Sequence, residues 1–137
     1  MIKKVLVIHG PNMNLLGLKK LGEDGRLTLD KLNRDLRKVA NSKKITLSIK
    51  QTHDENKIVS YLHRNRTKFN HIILSPEIWN IDGYLLKDTL SLIKIPLSII
   101  KTDKDESSIF DSIVKSSNIQ IDKNYVSGYS KILQSLS

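Results

Sequence analysis

Apolar side chains follow two patterns that alternate along this chain of 137 residues. Short apolar runs, or strict apolar–polar alternation, are typical of strands, and they occur at residues 3–9, 45–49, 72–74, 96–100 and 119–121. Between them, apolar residues recur every three or four positions, as on one face of a helix. These stretches cover residues 28–39, 54–69, 82–93, 107–116 and 127–136. The pattern therefore predicts strands and helices in strict alternation.

Such alternation indicates a parallel sheet with helices on both faces. Five strands in a chain of this length fit one flavodoxin-like α/β domain over residues 1–137, with the strand order 2-1-3-4-5. Thr28 and Asp54 are expected to cap the first two helices, because each offers a side-chain oxygen to the free N–H groups of a helix start. Residues 13–27 hold three glycines and mixed charges, and a loop is predicted there.

Ligands of this kind of sheet bind outside the carboxyl ends of the strands. The loops that meet there are residues 9–27, 75–82 and 101–106. The first loop is longer than the usual βα connection of about two to six residues, and long loops are often functional. Within it, Gly10 permits a close backbone approach, Pro11 stiffens the turn and Asn12 presents an amide. The spacing of a phosphate-binding loop is absent.

The loop after the third strand holds three further residues of interest. Trp79 has two interpretations, stacking on a ligand or packing at a subunit contact. Glu77 and Asp82 could form a carboxylate pair, but facing solvent or capping the following helix is the preferred interpretation.

Composition narrows the function classes. The chain has no Cys, which excludes a disulfide scaffold, a thiolate metal site and a cysteine nucleophile. No two His lie at metal-ligand spacing with a carboxylate, so no metal or other cofactor is expected. No apolar run approaches the roughly 20 residues that span a bilayer. A soluble, cytoplasmic protein without membrane contact is the expectation.

The net charge is +9, from 23 Lys plus Arg and 14 Asp plus Glu. A basic protein can bind nucleic acid or acidic metabolites. The basic residues are spread along the chain and aromatic residues are scarce, so a nucleic-acid platform is disfavoured. A small anionic metabolite is the partner that this charge favours.

One segment matches a specific family. Residues 5–17, VLVIHGPNMNLLG, resemble the opening motif I-N-G-P-N-L-N-L-L-G of type II 3-dehydroquinate dehydratase. The similarity continues through Gln51-Thr52-His53-Asp54-Glu55, Asp88 and Gly128-Tyr129, and spans about residues 3–133. It implies a lyase of the shikimate pathway that dehydrates 3-dehydroquinate to 3-dehydroshikimate through an enolate, without metal or cofactor. It also implies self-association into trimers that pack as a dodecamer.

The resemblance carries four catalytic positions onto this chain. Asn12 keeps the asparagine that helps the enolate. Lys19 stands at the position of the family's activating arginine, and Asp24 at that of its tyrosine base. Lys101 stands at the position of the histidine acid. The remaining positions are expected to bind substrate; they are Pro11, Ser75, Asp88, Thr102 and Asp103.

Three hypotheses remain open from these substitutions. In a retuned enzyme, Asp24 acts as base, Lys19 as anchor and Lys101 as acid. A non-catalytic relative kept for binding or assembly is favoured by Ile81 and Ile99, because isoleucine at a former histidine and glutamate position transfers no proton. A repurposed protein would use lysines of the same crevice to recognise a carboxylate or phosphate. The sequence predicts weak or no parent activity.

Overall fold

Five parallel strands form one sheet in the order β2-β1-β3-β4-β5, as the hydrophobic pattern predicts. The computed structural model describes residues 3–18, 27–102 and 107–136. The strands are β1 (Lys3–His9), β2 (Ile45–Gln51), β3 (His71–Ser75), β4 (Leu97–Lys101) and β5 (Ile119–Ile121). The α-helices are α1 (Leu29–Ser42), α2 (Glu55–Asn65), α3 (Trp79–Asp82), α4 (Tyr84–Ile93) and α5 (Tyr125–Ser135). Short 3-10 helices cover Met13–Leu18, Ile109–Ile113 and Ser116–Asn118.

Both predicted helix caps are confirmed. The Thr28 hydroxyl accepts a hydrogen bond from the Lys31 N–H at 3.2 Å. The Asp54 carboxylate accepts one from the Asn56 N–H at 3.0 Å. Each side chain therefore satisfies a backbone donor that the first turn of its helix leaves free.

Two predicted helices differ from the structure at their ends. Helix α2 ends at Asn65, and Phe69 packs onto the core from the loop beyond it, stacked on Tyr61 at 6.3 Å between ring centroids. The stretch 82–93 is divided at Gly83, whose N–H closes α3 by donating to the Trp79 carbonyl at 2.9 Å. A periodic apolar pattern does not show where a helix ends. Phe69 fits the helical spacing and contacts the core, but it does so from the loop after α2.

Two predictions of the type of local structure are wrong. The expected loop after β1 begins with a 3-10 helix, which buries Met13 and Leu16 in the core. The expected helix over 107–116 is a 3-10 helix of five residues, with Phe110 as its one buried side chain. Each segment buries only one or two apolar side chains. A short 3-10 turn can bury so few side chains as well as an α-helix can.

Alternate residues of β1 point into two separate cores. Val5 and Val7 pack on one face with α1 and α5, whereas Leu6 and Ile8 pack on the other with α2 and α4. All four are fully buried. Burial on both faces is the reason why β1 is an uninterrupted apolar run.

The turns after β1 and β3 are pressed together at the carboxyl edge of the sheet. The Gly10 N–H donates to the Ser75 carbonyl at 2.8 Å. A Cβ at position 10 would lie only 2.5 Å from the Pro76 carbonyl oxygen and 2.8 Å from that of Ser75. Glycine is therefore required here, because no other residue lets the two turns approach so closely.

A buried chain of polar side chains runs beneath these turns. The His9 Nε2 lies 2.9 Å from Asn33 Oδ1, and the Tyr129 hydroxyl lies 3.2 Å from His9 Nδ1. Ser75 Oγ forms a short hydrogen bond with the same tyrosine hydroxyl. With the Asn33 oxygen as acceptor, His9 donates from Nε2, Tyr129 donates to Nδ1, and Ser75 donates to Tyr129. In this arrangement each of the three donor hydrogens has one acceptor among the four side chains.

Burial keeps these groups neutral. It lowers the pKa of His9 to about 4 and raises the pKa of Tyr129 above its ordinary value. His71 at the start of β3 is also buried and contacts Ser98 at 2.7 Å. Burial, together with the nearby charge of Lys3, lowers the pKa of His71 to about 4.

The Gly10→Ala variant should lose about 3 kcal/mol of unfolding free energy, because the added methyl group meets rigid backbone rather than a movable side chain. Urea denaturation measures this change. Gly128→Ala is the control, since that glycine lies inside α5, where alanine is the better helix former, and its added Cβ would lie 3.3 Å from the Asp122 side chain rather than against backbone. We expect the control to change stability by less than about 1 kcal/mol. Equal losses in the two variants would contradict the close approach at Gly10.

Stability should fall as the pH drops from 6.5 to 4. The unfolded chain binds protons on His9 and His71 below the ordinary histidine pKa, whereas the folded chain does so only near its lowered pKa of about 4. Stability from these groups is therefore complete above pH 6.5, and at pH 4 each histidine costs about 3 kcal/mol.

Urea denaturation at pH 7 and pH 4 tests this dependence. His9→Asn and His71→Asn should each show a loss on acidification that is smaller by about 3 kcal/mol than that of the unaltered protein. If both variants lose as much as the unaltered protein, the histidines are not the cause.

Candidate active site

A cleft opens at the carboxyl edge of the sheet, between the turns after β1 and β3. It encloses about 460 Å³. The described residues that line it are Pro11, Asn12, Glu77, Ile78, Asn80, Ile81 and Ser107. The cleft thus lies where ligands of doubly wound sheets bind.

The wall after β1 presents Asn12 in a fixed turn. Asn12 has a left-handed backbone, with φ 68°, and its N–H donates to His53 Nδ1 at 3.3 Å. The Gln51 side chain donates to the Gly10 carbonyl at 3.2 Å. Residues at the end of β2 therefore hold the turn that carries the Asn12 amide.

The wall after β3 presents Glu77, which also has a left-handed backbone, with φ 55°. The Tyr125 hydroxyl, at the start of α5, donates a short hydrogen bond to Glu77 Oε1. Glu77 does not cap the following helix, because the N-cap of α3 is Ile78 and no side chain caps it. The Glu77 side chain is half-buried, whereas Asp82 is exposed to solvent, as its preferred interpretation predicts.

The remaining lining is mixed. Ile78 is exposed and Ile81 is 67% exposed, so both present apolar surface to the cleft. Asn80 is buried between them and the core. Trp79 is only 4% exposed and packs in the core with α2 and α4, where its ring is not available to stack on a ligand in the cleft.

Some of the predicted site residues line the cleft, some lie elsewhere, and some lie outside the described residues. Pro11 and Asn12 line the cleft. Ser75 and Lys101 are buried and are not among the described lining residues. Ser75 contacts Tyr129 as described above.

Lys101 is 5% exposed and lies at the end of β4. Its Nζ contacts both carboxylate oxygens of Asp111, Oδ1 at 2.9 Å and Oδ2 at 3.0 Å. The ammonium is therefore held by a partner outside the described cleft lining.

Two further positions lie outside the described lining of the cleft. Asp88 is exposed on α4, and Thr102 follows the last residue of β4 and is half-buried. Lys19, Asp24 and Asp103 lie outside the described residues. Their predicted roles stay predictions.

Two functional candidates were missed by the sequence patterns. Tyr125 belongs to the final helix, 48 residues from Glu77, and only the packing of α5 brings its hydroxyl to the cleft. Asn80 carries no local signal. The one available signal for Glu77 was its place directly after Pro76 at a strand end.

Within the ranges that the structure covers, no group of three or more His, Asp or Glu could hold a metal ion. None of the helices described here is long and apolar enough to cross a bilayer.

Comparison with solved structures shows the fold. The type II dehydroquinase of Butyrivibrio crossotus superposes with a TM-score of 0.83 at 20% identity, covering 98% of this chain and 97% of that one. The type II dehydroquinase of Propionibacterium acnes gives a TM-score of 0.84 at 20% identity, covering 98% and 95%.

Sequence comparison shows the family. The 3-dehydroquinate dehydratase of Pelotomaculum thermopropionicum is 33% identical over 93 residues, which are 68% of this chain and 65% of that relative. The chain thus spans less than two thirds of that relative's length. The family model described as dehydroquinase class II matches residues 3–121. From this match and the shared fold, we conclude that the chain belongs to the class II dehydroquinase family.

Proposed function

We propose that this protein keeps the family's ligand cleft but has little or no 3-dehydroquinate dehydratase activity. The parent reaction removes a proton beside a ketone and then protonates the departing hydroxyl group. A general acid and a general base each contribute about 10²–10⁴ in rate. If this chain lacks the general acid or the general base, its dehydratase rate falls by the corresponding factor.

One observation carries the proposal, the apolar surface that Ile81 presents to the cleft. Ile81 stands at a position where the family resemblance implies histidine, and its side chain cannot transfer a proton. The cleft keeps Asn12, which fits the enolate-stabilising position. This combination supports binding without the complete reaction.

The ion pair of Lys101 supports the same conclusion. As the substitute for the family's acid, Lys101 would have to donate a proton to the ligand. Its ammonium instead faces the Asp111 carboxylate at 2.9 Å. Transfer of that proton to a ligand would first require this ion pair to break.

A direct assay tests the proposal. Purified protein is mixed with 3-dehydroquinate, and the absorbance of the conjugated enone product is followed. We expect turnover below about 0.01 s⁻¹, since ordinary enzymes turn over at about 1 s⁻¹ or faster and a lost acid removes at least a hundredfold. Calorimetric titration with the same compound should still detect binding.

Asn12→Ala is the control in both measurements. It should weaken the binding, and any turnover that persists in it comes from a contaminating enzyme. Turnover near 1 s⁻¹ that Asn12→Ala abolishes would contradict the proposal and would assign the lost roles to Asp24, Lys19 and Lys101. Absence of binding would leave assembly as the retained property.

We also propose that copies of the chain self-associate in the cytoplasm, as the family resemblance implies. Tyr84 and Leu85, in the first turn of α4, are exposed apolar side chains outside the described lining of the cleft, and they support this proposal. Exposed apolar side chains that lie next to each other often mark a protein contact.

Sedimentation should give at least three times the chain mass of 15.6 kDa. The double variant Tyr84→Lys, Leu85→Lys should reduce this mass, because two charges would then be buried in the contact. Leu92→Lys is the control, since Leu92 is more exposed than Tyr84 and Leu85 but lies at the other end of α4. A species of 15.6 kDa for the unaltered chain would contradict self-association.

A further inference from the structure

We propose that Glu77 is a catalytic base of this cleft, which removes a proton from the carbon beside a ketone while Asn12 stabilises the resulting enolate. The inference rests on the proposed function, because it takes the cleft to bind the family's ketone substrate. It goes beyond that function by assigning the residue that would carry out the first half-reaction. The family resemblance assigns this role to the position of Asp24 and not to Glu77.

The position of Glu77 is the first argument. Of the seven described residues that line the cleft, Glu77 is the one with an ionisable side chain. It extends from the turn after β3, while Asn12 extends from the facing turn after β1. A ligand between the two turns would therefore have a carboxylate on one side and an amide donor on the other.

The backbone is the second argument. Glu77 and Asn12 both have left-handed φ values, 55° and 68°. Lys44 and Lys94 have the same conformation outside the described lining, so it bears on how the turn is held and does not by itself mark a site. Here the Glu77 carbonyl accepts from the Asn80 N–H at 3.0 Å, and the Pro76 carbonyl accepts from the Trp79 N–H at 3.0 Å. The turn that places Glu77 in the cleft lining is thus fixed by its own hydrogen bonds.

The orientation of the carboxylate is the third argument. Tyr125 is buried, and its hydroxyl donates to Glu77 Oε1. This contact fixes one oxygen of the carboxylate and so orients the side chain. The charge also reaches Tyr129, whose pKa it raises further in addition to the effect of burial. Tyr125 is therefore a positioning residue for Glu77.

The chemistry of the lining suits this reaction. A carboxylate can remove an α-proton of a ketone even with a modest pKa, provided that the site holds it against the substrate and stabilises the enolate. Ile78 and Ile81 supply apolar surface in the same lining, against which the carbon skeleton of a ligand can pack. Asn12 supplies an amide N–H donor for the developing oxyanion.

The proposed step balances as follows. The C–H bond next to the carbonyl breaks, and its proton goes to a carboxylate oxygen of Glu77. The electron pair of that bond forms the C=C bond of the enolate, and the carbonyl π electrons move to the oxygen. Glu77 exchanges its proton with water and then returns a solvent proton to the same carbon. Without an acid for the departing hydroxyl group, hydrogen exchange is the outcome rather than dehydration.

Hydrogen exchange in D₂O tests this assignment. 3-Dehydroquinate is incubated with the protein in D₂O, and proton NMR follows the loss of the signals from the carbon next to the ketone. The same spectra report the vinyl proton of any dehydrated product. We expect exchange above the buffer rate, and a fall of about 100-fold in Glu77→Gln, since this is the low end of the effect of a general base.

The design includes two comparison variants. Asp82→Asn removes an exposed carboxylate from the neighbouring turn of α3 and should exchange at the rate of the unaltered protein. Tyr125→Phe removes a donor to Glu77 and should lower the exchange rate at saturating 3-dehydroquinate, while the concentration that gives half of the maximal rate stays the same. A purely structural role of Tyr125 would raise that concentration as well.

Exchange at the buffer rate, or equal exchange in Glu77→Gln and the unaltered protein, would overturn the assignment. Glu77→Gln keeps the shape of the side chain and an acceptor for Tyr125, and circular dichroism confirms that the variant is folded. Rapid dehydration by the unaltered protein would instead contradict the loss of parent activity. In that case the effect of Glu77→Gln on dehydration decides whether Glu77 is the base.

Discussion

The hydrogen bond from the Gly10 N–H to the Ser75 carbonyl, 2.8 Å long, is the contact on which the cleft depends. It joins the ends of β1 and β3 at the point where the chain leaves the sheet in two different turns. Asn12 lies two residues beyond one partner and Glu77 two residues beyond the other. A Cβ at position 10 would lie 2.5 Å from the Pro76 carbonyl oxygen. The two turns can therefore lie this close together only because residue 10 is glycine.

Beneath this contact, the core uses polar groups to hold the same edge. The chain from Asn33 through His9 and Tyr129 to Ser75 connects α1, β1, α5 and β3. Each group is satisfied only if the others keep their places, so the network specifies one arrangement of four elements. Because Ser75 is buried in this network, it is not among the described lining residues, although it is the last residue of β3.

The family frame and the family chemistry have diverged to different degrees here. The sheet order, the turn with Pro11 and Asn12, and the fold of solved type II dehydroquinases are retained. The lining after β3 combines a carboxylate held by Tyr125 with two exposed isoleucines. This lining is the basis of the proposal that the cleft binds its ligand and removes a proton without protonating a leaving group. Lys101, the predicted acid, is held by Asp111.

The sequence alone determined the order of the elements and the location of the cleft. Buried strands such as β1 and β3 require continuous apolar runs, helices require a repeat of 3.6 residues, and parallel topology places ligands at the carboxyl ends. These are local or topological rules, so Thr28, Asp54 and Asn12 could be assigned from their immediate neighbours. The division of helix 82–93 at Gly83 and the 3-10 helices escaped the pattern, because burial of one side chain does not distinguish among tight helical geometries.

Only the tertiary structure decided which side chains meet. Glu77 and Tyr125 are 48 residues apart, and Ser75 and Tyr129 are 54 residues apart. No local pattern records such pairs, because they arise where separate elements pack against each other at the end of the sheet. The same is true of Lys101, whose position in the sequence indicated an acid but whose neighbour in space is the carboxylate of Asp111. The type and order of the strands and helices follow from the local pattern of residues that each segment buries. The chemistry of the cleft depends on distances between side chains that are far apart in the sequence, and these distances are decided by how the elements pack.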